Sequence, residues 1–135
     1  MNRSQGLTRG RYNLIMDAYN ANPSSMQAAL DYFGQLTSHD HKVVILGDMF
    51  ELGQAAAAEH QIIVNLAEQL GFDQIYLAGD NFSKTKHNPK QTLCFDHYNA
   101  LEQHLLDQPP KPGTILIKGS RGMALERLLS VVFRE

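Results

Sequence analysis

Four six-residue runs constrain the fold of this chain more than anything else in it: YNLIMD (Tyr12 to Asp17), KVVILG (Lys42 to Gly47), QIYLAG (Gln74 to Gly79) and TILIKG (Thr114 to Gly119). Most of them are apolar at consecutive positions rather than at every second one. A strand with one wet face alternates, so a short continuous apolar run bounded by turn residues points to a strand covered on both faces. Parallel sheets lying between helices are built from such strands. QTLCF (Gln91 to Phe95) is a weaker fifth run.

Helical patterns fill the intervals. Ser24 or Ser25 can cap a helix through about Leu36, with Met26, Ala29, Leu30 and Phe33 on one face. A second pattern runs from Ala55 to Leu70 with Ile62, Ile63, Leu66, Ala67 and Leu70 as its stripe, and Gly71 stands where a left-handed residue would stop it. A third spans Tyr98 to Leu106 and ends before Pro109 and Pro110. The last runs from Met123 to Phe133 and carries Leu125, Leu128, Leu129 and Val132. This alternation predicts an open, mostly parallel, Rossmann-like α/β sheet of about five to six strands with helices on both faces. The polar segment DNFSKTKHNPK (Asp80 to Lys90) reads as an exposed loop with room for a short helical turn.

At 135 residues the chain fits one ordinary domain. The lone Cys94 cannot form an internal disulfide framework and fits a reducing compartment, so a cytoplasmic protein is expected. Twelve basic and fourteen acidic residues give a net charge of −2, which argues against a nucleic-acid surface. No apolar run approaches the length of a membrane span, and the first residues lack the apolar core of a signal peptide. Arg3, Arg9 and Arg11 are interleaved with Gly and Ser and read as a solvated lead-in. The histidines, His39, His41, His60 and His87 among them, show no metal-ligand spacing, so no metal site is expected in this chain.

In an open parallel sheet, ligands bind beyond the carboxyl ends of the strands, where loops and helix N-termini converge. The segments that leave the four strand ends are DAYNANPSS, GDMFELG, GDNFSK and KGSRG. Asp17, Asp48 and Asp80 would edge one rim, near Lys118, Ser120 and Arg121. A strand-end carboxylate suits ribose hydroxyls, and a Lys–Arg pair suits a carboxylate or phosphate. Neither a GxxxxGK[ST] phosphate loop nor a GxGxxG comes after the first strand, so a nucleotide held here would be shared with another domain.

Three of these motifs in one order, DAYNANPSSM, GDMFELG followed by His60, and KGSRGMALE, resemble the C-terminal domain of the Mur ligases, in the branch that adds D-alanyl-D-alanine to UDP-N-acetylmuramoyl-tripeptide during peptidoglycan synthesis. The resemblance covers nearly the whole chain from Asn2, with residues 1–11 as a remnant of the interdomain hinge and 12–135 as the domain. It implies an ATP-dependent amide ligase whose N-terminal domain holds the UDP-sugar precursor. Its central domain would carry the phosphate loop and the Mg2+ ligands. ATP would phosphorylate the tripeptide carboxylate, and the dipeptide amine would attack the acyl phosphate.

By the same resemblance Asp17, Tyr19, Asn20 and Asn22, with Asn2 and Arg3 at the hinge, are the ATP-binding candidates. Asp48, Glu51, Lys118, Ser120 and Arg121 are the substrate-binding candidates, and no catalytic residue is assigned to this domain, which alone would be inactive. The family places a Ser and acidic residues where this chain has Ala55 to Ala58, and His60 reads as a structural histidine. Asp17, taken as an exposed strand-end acid, is expected to contribute little to stability. A stand-alone Rossmann-like nucleotide-binding or interaction module without catalysis is the alternative from another class.

Overall fold

The computed structural model describes residues 5–36 and 40–134. Asn2 and Arg3 lie outside them. Six strands form one sheet in the order β1-β2-β6-β3-β4-β5: β1 Gln5–Arg9, β2 Tyr12–Asp17, β3 His41–Gly47, β4 Gln74–Ala78, β5 Thr92–Phe95 and β6 Gly113–Lys118. All neighbours are parallel except β1 and β2. The expected open, mostly parallel sheet is therefore present, and the four strong apolar runs are β2, β3, β4 and β6.

The continuous apolar runs have the burial their pattern predicts. Val43 and Ile45 of β3, with Ile115 and Ile117 of β6, face one core layer, while Val44, Leu46 and Leu116 face the other. Helices α1 (Pro23–Gln35), α2 (Ala56–Gln69) and the single turn α3 (Asp80–Ser83) cover the second layer through Met26, Leu30, Phe33, Ile63, Val64, Ala67 and Phe82. Helices α4 (Tyr98–Asp107) and α5 (Arg127–Val131) cover the first through Tyr98, Leu101, Leu105 and Leu128. Central strands buried on both faces cannot alternate, which explains the runs.

Four local features differ from the sequence expectation. The cap of α1 is Asn22, not Ser24 or Ser25: its side chain accepts from the Ser25 N–H at 2.9 Å while Ser25 Oγ accepts from the Asn22 N–H at 3.0 Å, a reciprocal capping box, with Pro23 opening the helix. The lead-in is not simply solvated, since Gln5–Arg9 pairs along β2 and Arg9 Nη1 donates to the carbonyls of Leu129 and Phe133. The buried stripe of α2 is His60, Ile63, Val64 and Ala67, leaving Ile62 and Leu70 exposed. The final helix is shortened to α5. Residues Arg121–Met123 form a separate 3₁₀ turn, and Ala124 at φ +51° breaks the path. The segment Asp80 to Lys90 is the expected short helical turn and largely exposed loop, and it is tethered to α2, with Gln61 and Lys86 bonded in both directions and the Asn88 N–H donating to Glu68.

Candidate functional site

The carboxyl ends of β2, β6, β3 and β4 lie side by side in that order, so the segments after them share one rim. The register sets Lys118 directly between Asp17 on β2 and Leu46 on β3. Gly47 and Gly119 let the two central strand ends converge: a Cβ on Gly119 would stand 3.0 Å from Gly47 Cα and 2.9 Å from the buried Leu125. Ser120 then joins the two loops. Its N–H donates to the Asp48 carbonyl at 3.1 Å, and its Oγ accepts from the Phe50 N–H at 2.8 Å.

The polar residues divide into an inward set and an outward set. Lys118, 1% exposed, donates from Nζ to Asp17 Oδ2 at 2.7 Å and to the Asn20 carbonyl at 3.0 Å. Asp17 is itself buried, at 7% exposure. It is therefore not the exposed acid expected from sequence. Removing it would leave a buried ammonium without its carboxylate, which is strongly destabilising.

Asp48 is also turned inward. Oδ2 accepts from the backbone N–H and side-chain amide of Asn81, and Oδ1 accepts from the Phe82 N–H at 3.0 Å. Gly79 leaves room for this carboxylate beneath the start of α3. Asp80, the third rim acid, is exposed in the first turn of α3.

His60 is fully buried at the head of the α2 stripe. Its Nε2 accepts from the Met49 N–H at 3.0 Å, which places the proton on Nδ1, 2.7 Å from the Ala56 carbonyl. The ring also meets Phe82 edge-on. Both nitrogens are spent on backbone, in keeping with a structural histidine.

Facing outward are Tyr19, Asn20, Phe50, Glu51 and Arg121. The Arg121 guanidinium stacks over the Tyr19 ring at 4.2 Å, so the first and last motifs meet at the surface as well as below it. Glu51 holds a left-handed backbone at φ +64°. Phe50, which no sequence pattern singles out, lies against Gly122, where a Cβ would stand 2.5 Å from its ring. Asn22 contributes its side chain to the α1 cap.

The shifted titrations lie away from this rim, in the β4, β5 and α4 region. Burial pushes the Cys94 thiol up to about 11, with Asp96 adding to it. Burial raises the Tyr76 and Tyr98 phenols as well, the latter also through its hydrogen bond to Glu102. Among the described residues no group of three His, Cys, Asp or Glu side chains could hold a metal ion, and no helix is long and apolar enough to cross a membrane.

A buried Asp–Lys pair lies beneath an exposed Tyr–Arg stack at the strand ends of an open, mostly parallel α/β sheet. The family described as "Mur ligase, glutamate ligase domain" matches residues 2–121, and the chain belongs to it. The UDP-N-acetylmuramoyl-tripeptide–D-alanyl-D-alanine ligase of Treponema pallidum (strain Nichols) is 36% identical over 127 residues, covering 90% of this chain and 28% of the relative. The ligase of the same name from Rickettsia prowazekii (strain Madrid E) is 34% identical over 137 residues, covering 91% and 30%.

Among solved structures, MurF ligase from Thermotoga maritima in complex with ADP matches with a TM-score of 0.79 at 20% identity, over 99% of this chain and 31% of that one, a likeness of fold. MurF from Acinetobacter baumannii matches with a TM-score of 0.76 at 28% identity, over 99% and 30%. The chain thus spans about three-tenths of the length of the relatives it matches.

Proposed function

We propose that this chain is the C-terminal domain of a cytoplasmic ATP-dependent ligase that joins D-alanyl-D-alanine to UDP-N-acetylmuramoyl-tripeptide in peptidoglycan synthesis, with strand β1 of the hinge segment at residues 1–11 paired onto the sheet of the domain at 12–135. The observation that carries the reading is the meeting of DAYNANP and KGSRG at one rim, through Asp17–Lys118 below and Tyr19–Arg121 above, in a chain of this family. ATP supplies the phosphoryl group that activates the tripeptide carboxylate. This domain's part is to bind and orient. The Asp17 carboxylate, with Tyr19 and Asn20 beside it, suits the ribose and base side of a nucleotide, and Asn2 and Arg3 would join them from the hinge. Asn22 serves by capping α1 and so fixing the loop.

Arg121, exposed and placed over the Tyr19 ring, is suited to fork the dipeptide carboxylate. Glu51, exposed on the loop after β3, suits the incoming ammonium, while Asp48 and Ser120 shape the loop that carries Glu51. Magnesium would be held outside this domain together with the phosphate loop, as the resemblance to the family implies.

Arg121→Lys in the full-length enzyme tests the assignment. The charge stays but the planar fork is lost, so KM for D-alanyl-D-alanine should rise about tenfold or more, the scale of a lost charged hydrogen bond, while stability falls by no more than the roughly 0.5–1 kcal/mol of an exposed cation–π contact. An unchanged KM would remove Arg121 from the dipeptide site. Preference of the enzyme for a single free amino acid over the dipeptide would overturn the proposed reaction itself.

A further inference from the structure

Lys118 belongs by sequence to the KGSRG motif but by contact to DAYNAN. Its ammonium is 1% exposed and already donates to Asp17 Oδ2 at 2.7 Å and to the Asn20 carbonyl at 3.0 Å. A group so buried and so bonded is poorly placed to meet a dipeptide carboxylate or a phosphate. Nor is stability a sufficient reason for it, because a buried ion pair carries a large desolvation cost that a well-packed apolar pair would avoid. What the pair does supply is geometry. It ties the end of β6 to the end of β2 and to the backbone one residue past Tyr19, fixing a carboxylate orientation and a loop path together.

We infer that Lys118 is a positioning residue for the nucleotide half of the rim: it holds Asp17 and the loop at residues 18–22 in the arrangement that receives the ribose, and it touches neither substrate. This rests on the proposed role of Asp17 as a ribose ligand. It reassigns Lys118 from the substrate-binding set, where sequence placed it, to a role exerted through another residue. Arg121, three positions on and exposed, keeps the ligand-facing role in the same motif.

The test separates the two half-sites in the full-length ligase by steady-state kinetics, with KM for ATP and KM for D-alanyl-D-alanine measured independently and folding of each variant checked by circular dichroism. Lys118→Met removes the ammonium at similar length. Lys118→Arg keeps the charge but moves the carboxylate to suit a planar fork, and carries the test if the first variant does not fold. Both should raise KM for ATP, the first by at least tenfold, with KM for the dipeptide within twofold of wild type. A rise in the dipeptide KM instead would make Lys118 a substrate contact and overturn the inference. So would unchanged KM values for both substrates in a folded variant, which would leave only a structural role. Asp17→Asn distinguishes the premise from the inference: if it leaves KM for ATP unchanged, the ribose assignment fails and the inference with it. If it raises KM for ATP while the Lys118 variants do not, the inference alone fails.

Discussion

Gly79→Ala should cost the domain about 4 kcal/mol of stability, from two independent sources. The residue sits at φ +130° and ψ 163°, a region essentially reserved for glycine, and forcing an L residue there costs roughly 1–3 kcal/mol. The added Cβ would stand 2.2 Å from Asp48 Cγ, a separation no structure tolerates, so the carboxylate must move. It is buried and accepts from the N–H groups of Asn81 and Phe82, and leaving such donors unmet costs about 1–3 kcal/mol. Gly6→Ala is the control, because nothing lies within 4 Å of a Cβ there and an exposed edge position should change stability by less than about 0.5 kcal/mol. Urea unfolding of the two variants beside wild type reads the difference. A loss below about 1 kcal/mol at Gly79 would mean that Asp48 is not seated under this turn.

The reach of the sequence depends on which features are local. Strands β2, β3, β4 and β6 were legible because burial on both faces leaves a short apolar run, and the turn residues that bound it keep it to strand length. β1 was not: QGLTR carries one large apolar residue, and it becomes a strand through antiparallel pairing along β2. The break before α5 was hidden because an alanine carries no sign that it will take a left-handed backbone, as Ala124 does.

The site shows the same division. Residue types at the strand ends identified the rim, since the topology of an open parallel sheet gathers those ends whatever the loops do. Which of them turn inward was not legible. Lys118 and Asp17 are 101 positions apart in the chain, and only the register of β2 against β6 sets them opposite each other. A strand-end acid and a strand-end lysine look alike in sequence whether they face solvent or one another.

His60 gives the second large effect, and it joins the stability of the core to the shape of the rim. In His60→Ala, a fully buried ring that packs edge-on against Phe82 is replaced by a void, a change of the kind that costs about 2–5 kcal/mol in cores. The Met49 N–H also loses its acceptor inside the protein, adding roughly 1–3 kcal/mol. Partial collapse offsets some of this, so a net loss of about 4 kcal/mol is expected by urea unfolding. A void alone and a void with an orphaned donor are told apart by amide hydrogen exchange. Met49 should be protected in wild type and exchange far faster in His60→Ala, whereas a purely apolar role for the ring would leave that amide protected. The neighbouring residue explains why the distinction bears on function. Phe50 donates its own N–H to Ser120 Oγ, so the loop carrying Glu51 is pinned from below by a histidine of α2 and from the side by a serine of KGSRG. Slow Met49 exchange in the alanine variant would show that the loop is held by Ser120 and the Asp48 contacts without the histidine.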